Sequence, residues 1–86
     1  MKMNEVINKL IKLFIKYDDV INSLANNIYH NTDEDNIEII KINIRLKYWN
    51  LLLANKRTLE DIESELWLPD KRDDSYEDYL IRMLGF

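Results

Sequence analysis

The chain has 86 residues, of which 47% are hydrophobic and 33% charged, a balance typical of a folded protein rather than a disordered one. One glycine, one proline and no cysteine disfavour a turn-rich all-β fold and exclude disulfides and thiolate chemistry. A chain of this length predicts one domain, residues 1–86.

The formal net charge of −4 is unevenly distributed. Residues 39–57 hold five basic and no acidic side chains, whereas residues 58–86 hold nine acidic and three basic ones. We interpret the two segments as complementary within the fold or between two copies. The alternative is that one of them attracts an outside partner.

No apolar run approaches the roughly 20 residues that span a bilayer. Lysines interrupt the apolar residues near the amino terminus, so a secretory signal is not indicated. We therefore expect no membrane association and a cytoplasmic location.

The first predicted helix covers residues 4–30, with Asn4 as its N-cap. Its apolar residues recur at spacings of three and four: Ile7, Leu10, Phe14, Tyr17, Ile21, Leu24 and Ile28. This pattern predicts one long amphipathic helix whose apolar stripe needs a partner surface. The single histidine, His30, lies at its end without a second ligand or nucleophile nearby. We expect it to be neither catalytic nor metal-binding.

The second predicted helix covers residues 33–55, with Thr32 as its N-cap. Between Ile40 and Tyr48 apolar and polar residues alternate, a pattern that also fits a β-strand. We favour a helix because no other segment offers a strand to pair with. The segment also continues without a turn signal well beyond ordinary strand length.

As a helix, this segment is apolar on two opposite sides. The first side carries Ile37, Ile40, Ile44, Tyr48, Leu51 and Leu52. The second side carries Ile39, Ile42, Leu46, Trp49 and Leu53. We expect the first side to cover the first helix. The second side must pack on the carboxyl-terminal third or on a second copy, and it is the candidate dimer interface.

The third predicted helix covers residues 58–67, begins with a capping box from Thr58 to Asp61, and ends before Pro69. The fourth covers residues 75–84, with Gly85 after its last turn. The predicted fold is all-α: an antiparallel hairpin of two long helices plus two short carboxyl-terminal helices, forming a small helical bundle.

The segment that starts at Thr58 resembles the first helix and turn of helix-turn-helix domains. The resemblance is carried by four apolar positions, Leu59, Ile62, Leu66 and Leu68. It implies that the 75–84 helix would contact DNA. Glu63 and Trp67 depart from the small residue and the glycine usual in that motif, and carboxylates crowd the second helix, near where phosphates would lie.

The leading functional hypothesis is a non-enzymatic protein–protein interaction module: a dimeric regulator, inhibitor or immunity-type protein. One histidine and no cysteine leave no nucleophile–base pair, and there is no nucleotide-binding glycine loop. We predict no catalytic residue, cofactor or metal site. The candidate partner surface is acidic with aromatic anchors, which suits a basic protein. Its residues are Trp67, Asp73, Asp74, Tyr76, Glu77, Asp78 and Tyr79. The alternative is a nucleic-acid-binding regulator that uses the basic 41–57 segment or a degenerate helix-turn-helix at 58–84.

Overall fold

The computed structural model describes residues 3–30, 33–67 and 74–86. These residues form helices and no strand. The helices are α1 (Met3–Lys16), α2 (Asp18–Tyr29), α3 (Ile37–Leu53), α4 (Leu59–Leu66) and α5 (Asp74–Leu84). The predicted all-α class is confirmed for this part of the chain, and the alternating segment from Ile40 to Tyr48 lies inside α3.

The single helix predicted over residues 4–30 is instead two helices, because the helical conformation is interrupted at Tyr17. The Tyr17 backbone has φ −110° and ψ 30°. Its carbonyl oxygen accepts hydrogen bonds from the N–H groups of Val20 at 3.0 Å and Ile21 at 3.1 Å. Asp18 and Asp19 then lie in the first turn of α2, where the helix dipole favours negative charge. The apolar spacing continues unchanged through the break, so periodicity alone could not reveal it.

The beginning of α3 also differs from the prediction. Its N-cap is Asn36, whose Oδ1 accepts a hydrogen bond from the N–H of Glu38 at 3.0 Å. Residues 33–35 therefore precede the helix instead of forming its first turn, and Thr32 lies outside the described residues. At the first helix, Asn4 lies inside α1 and does not cap it.

Two helices end in the same hydrogen-bonded motif. After α3, Asn55 takes a positive φ of 58°, and the N–H of Lys56 donates to the Leu51 carbonyl at 2.9 Å. After α5, Gly85 has φ 94°, and the N–H of Phe86 donates to the Ile81 carbonyl at 3.1 Å. Both are Schellman endings, in which one left-handed residue lets the chain satisfy the last carbonyls.

The capping box expected at the start of α4 is present. The Thr58 hydroxyl oxygen accepts a hydrogen bond from the N–H of Asp61 at 3.1 Å, and the N–H of Thr58 donates to the Asp61 carboxylate at 3.1 Å. Pro69, the predicted end of this segment, lies outside the described residues.

One side of every helix contributes to a common core. Its buried members are Leu10, Phe14, Val20, Ile21, Leu24, Ala25, Ile28, Ile40, Ile44, Tyr48, Ile62, Leu66, Leu80 and Leu84. The α2 helix packs mainly on α3, α4 packs on α1, and α5 packs on α2 and α3. This arrangement leaves the outer sides of α1, α3 and α4 at the surface. Within the described residues, no helix is long and apolar enough to cross a bilayer.

Candidate interaction surfaces

The second apolar side of α3 faces solvent along its whole length. Its exposed members are Ile39, Ile42, Leu46 and Leu53, with exposed fractions between 42% and 51%. Trp49, the remaining member, is half-buried. The opposite side of the same helix is inaccessible, since Ile44 and Tyr48 are 0% exposed. The five residues of the candidate dimer interface thus lie together on one helix side, and no described part of the chain buries this side.

An apolar groove extends this side of α3 onto α1. The groove has a volume of about 390 Å³. It is lined by Ile7, Leu10, Ile11, Phe14, Ile42, Arg45, Leu46 and Trp49. Beyond it, Ile15 on α1 is 73% exposed. The sequence hypothesis missed the contribution of α1, although Ile11 and Ile15 form an apolar i, i+4 pair displaced from the main stripe.

Arg45, the one charged residue of the groove, is held by a carboxylate from α2. Arg45 Nη2 lies 3.2 Å from Asp18 Oδ1, and Lys41 Nζ lies 3.3 Å from the same oxygen. Lys41 is only 8% exposed, and Glu38 Oε1 lies 4.0 Å from its Nζ, so two carboxylates accompany this buried side chain. The α1–α2 break at Tyr17 puts Asp18 at the start of a helix that packs on α3, where it can reach both cations.

Other basic residues of the 41–57 segment have partners as well. Arg57 Nε lies 3.2 Å from Glu65 Oε2, and Lys47 Nζ lies 4.8 Å from the centre of the Phe86 ring. Together with the ion pairs of Lys41 and Arg45, these contacts give most cations of the basic segment a partner within the fold. Four of the five cations that look like a patch in the sequence therefore have internal partners: Lys41 and Arg45 share Asp18, Lys47 contacts Phe86, and Arg57 contacts Glu65.

The residues of the predicted acidic partner surface differ in their exposure to solvent. Trp67 and Tyr79 are exposed by 59% and 52%, and Asp78 is exposed. Tyr76 is half-buried and donates its hydroxyl hydrogen to the Glu65 carbonyl oxygen at 3.2 Å. Asp73 and the side chain of Asp74 lie outside what the structure describes.

Glu77, also a predicted partner residue, contacts α2. Its carboxylate accepts hydrogen bonds from the Ser23 hydroxyl at 2.9 Å and from the Asn27 amide at 3.3 Å. These bonds attach α5 to α2. Glu77 therefore contributes to packing between helices, which a surface assignment based on charge alone did not anticipate.

The outer side of α4 carries acids that face solvent. Glu60 and Glu63 are exposed, and Trp67 follows them on the same side of the helix. Asp61 is committed to the capping box, and its hydrogen bonds with Thr58 lower the pKa of its carboxyl group. Among the described residues, exposed acids of the carboxyl-terminal third thus include Glu60 and Glu63 on the outer side of α4, beside Trp67.

A buried polar cluster lies between α3, α4 and α5. The Tyr48 hydroxyl and Glu65 Oε1 are both buried without a hydrogen-bond partner among the described residues. Burial raises the pKa of the Tyr48 phenol well above its usual range, and the nearby Glu65 carboxylate raises it further. Burial also raises the pKa of Glu65, and the neighbouring Arg57 guanidinium partly opposes this shift.

No known protein family, curated protein or solved structure matches this chain. Within residues 3–30, 33–67 and 74–86, no group of three or more histidine, cysteine, aspartate or glutamate side chains could hold a metal ion. The surfaces described above are therefore the basis on which a function can be argued.

Proposed function

We propose that this protein is a non-enzymatic protein–protein interaction module that forms a homodimer in the cytoplasm and regulates or inhibits a partner protein. In the architecture we infer, α2 and α3 form an antiparallel hairpin, and the two carboxyl-terminal helices pack across it in a small bundle. A second copy would cover the exposed side of α3. The acidic carboxyl-terminal third would bind the partner.

The exposed apolar side of α3 is the observation that supports this function most directly. A contiguous apolar stripe on a small protein marks an interaction site, whereas isolated apolar residues on a surface are ordinary. Ile39, Ile42, Leu46 and Leu53 are all at least 42% exposed, and the apolar groove beside them continues onto α1.

A second copy of the chain is the occupant that this face suits best. The face is almost free of charge, and its one cation, Arg45, already contacts Asp18. Two such faces can therefore meet around a two-fold axis without burying unpaired charge or placing like charges together. A highly charged partner would gain nothing from this face.

Helix α3 alone is too narrow for a stable dimer. Its 17 residues give a side about 25 Å long and about 10 Å wide, whereas a standard interface takes about 800 Å² of accessible surface from each partner. The exposed residues Ile11 and Ile15 on α1 widen the face toward that requirement. We therefore expect both helices to contribute.

Light scattering at tens of micromolar protein tests the dimer. We expect the native chain to have twice its formula mass of 10.4 kDa, and Leu46→Glu or Ile15→Glu to shift it toward the monomer while circular dichroism stays helical. The matched control is Asn43→Glu, which adds the same charge at an exposed position of α3 outside the apolar side. A native chain that is monomeric at this concentration would contradict the homodimer.

The acidic surface of α4 is the part of the proposal that concerns the partner. Glu60 and Glu63 are exposed and form no ion pair within the described residues, and the exposed Trp67 supplies an aromatic anchor beside them. Aromatic anchors surrounded by charges of one sign are typical of binding sites for a protein of opposite charge. Nucleic-acid binding receives less support, since most cations of the 41–57 segment have internal partners.

A further inference from the structure

A groove between α1 and α4 has oppositely charged walls. Its larger section, of about 720 Å³, has an apolar floor formed by Val6, Leu13, Leu52 and Leu59. Lys9 and Lys12 line it on the α1 side, and Glu60 and Glu63 line it on the α4 side. Arg57, which precedes α4, also lines the groove, but its guanidinium is paired with Glu65 at 3.2 Å. It is separate from the apolar groove between α1 and α3, because the two lie on different sides of α1 and share no lining residue.

The groove continues along both helices. A second section of about 330 Å³ shares Glu60 and Glu63 with the first. It is also lined by Lys16 and Ser64 and by the residues that follow α1 and α4, Tyr17 and Trp67. The lining residues advance in the same order along α1 and α4, so the groove follows both helices over the 8 residues of α4, about two turns or about 12 Å. A length of this kind suits a segment of polypeptide better than a compact small molecule.

The charged side chains of the two walls are not paired across the groove. No ion pair joins Lys9 or Lys12 to Glu60 or Glu63 within the described residues, although all four line the same groove. An occupant between the walls could pair with both at once: acidic groups toward α1, basic groups toward α4, and apolar groups on the floor.

We propose that the α1–α4 groove binds an amphipathic helix of a partner protein, one whose apolar ridge separates an acidic flank from a basic flank. A helix is the expected form because its ridge of side chains packs between two helices. The described residues offer no strand to which an extended peptide could add. A second copy of the groove would not fill it, since two concave surfaces facing each other leave their floors apart.

This inference deepens the partner-binding part of the proposed function and is independent of the homodimer. It changes the expected chemistry of the partner. The α4 acids alone would select a basic protein, whereas α4 together with the lysines of α1 selects a segment that carries both signs on opposite flanks.

The test uses two synthetic helical peptides of about four turns with identical composition, labelled for fluorescence anisotropy. In the bipolar peptide, glutamates occupy one flank of a leucine ridge and lysines the other. In the mixed peptide, both flanks carry both signs. We expect the bipolar peptide to bind the native chain about tenfold more tightly than the mixed one, since the mixed peptide exchanges about half of its attractive pairs for repulsive ones.

Charge reversal of the walls supplies the matched variants. Lys9→Glu with Lys12→Glu, or Glu60→Lys with Glu63→Lys, should each weaken binding of the bipolar peptide about tenfold. The quadruple variant keeps the net charge of the native chain and exchanges the walls. It should restore binding, because the peptide helix can lie in the opposite direction.

Equal binding of the two peptides, absence of binding by the bipolar peptide, or a quadruple variant that remains as weak as the double ones would overturn the inference. Light scattering of the same variants keeps this result separate from the homodimer. If the chain is a dimer but does not bind the peptide, only the groove proposal is wrong. If the chain is a monomer and still binds the bipolar peptide, only the homodimer proposal is wrong.

Discussion

The two sides of α3 have almost the same composition and opposite environments. Ile40 and Ile44 on the first side are 2% and 0% exposed, whereas Ile42 and Leu46 on the second side are 48% and 51% exposed. Hydrophobicity therefore does not decide which side the chain buries. The positions of α2 and α5 decide it, because both pack on the first side and leave the second to a partner.

The largest expected effect comes from truncating one residue on each side. In the background of Ile42→Glu, which is designed to be monomeric, Ile44→Ala should lower the free energy of unfolding by about 3 kcal/mol, since it leaves a cavity in the core. Leu46→Ala in the same background should cost less than about 1 kcal/mol, because its side chain is already half in water. Urea denaturation followed by circular dichroism measures both. Equal losses would mean that the second side of α3 is packed within the monomer.

Much of this comparison could be predicted from the sequence, because helical spacing assigns each apolar residue of α3 to one side or the other. Spacing cannot say which side the rest of the chain covers. It also cannot choose among several good caps in a row, so it predicts Thr32 as the N-cap of α3 where the structure has Asn36. The inward contacts of Tyr76 and Glu77 depend on how α5 packs on its neighbours, which local pattern does not contain.

The second prediction concerns Asp18, which contacts the two cations that lie between the apolar sides of α3, Lys41 and Arg45. Asp18→Asn removes the nearer carboxylate of Lys41, at 3.3 Å, and the carboxylate of Arg45, and leaves Lys41, which is 8% exposed, with Glu38 at 4.0 Å. We expect a loss of about 1.5 kcal/mol in unfolding free energy, below the range for a fully buried pair because the Asp18 side chain is 48% exposed. Asp19→Asn is the matched control, since it removes an exposed acid from the same helical turn. Similar losses for both variants would show that the helix dipole, and not the pair with Lys41, is responsible.

The third prediction concerns the one polar group in the middle of the first side. Tyr48 is fully buried, and its hydroxyl has no hydrogen-bond partner among the described residues. Tyr48→Phe removes this unsatisfied group without changing the shape of the core. The variant should therefore be as stable as the native chain or more stable by up to about 1 kcal/mol. Thermal melts at matched concentration measure the change. A clear loss of stability would show that the hydroxyl has a partner in solution, such as a bound water.

The smallest effect is a change in pH dependence at Glu65, which lies beside Tyr48 in the buried cluster. Burial raises the pKa of Glu65 in the folded chain, so the folded state holds this proton more tightly than the unfolded state does. Its contribution to stability is complete below the unfolded carboxyl pKa of about 4.3 and is lost as the pH rises through the higher folded value. Glu65→Gln should remove this slope, so the variant should lose less stability than the native chain between acidic and neutral pH.

Asp61→Asn should remove a slope of the opposite sign, because hydrogen bonds lower the pKa of Asp61 and its contribution to stability is lost as the pH falls. Denaturation midpoints across this pH range distinguish the two carboxylates. If Glu65→Gln keeps the native pH dependence of stability, the Glu65 carboxylate is solvated in the folded chain. The first side of α3 near Tyr48 would then be less completely buried by α4 and α5 than the structure indicates.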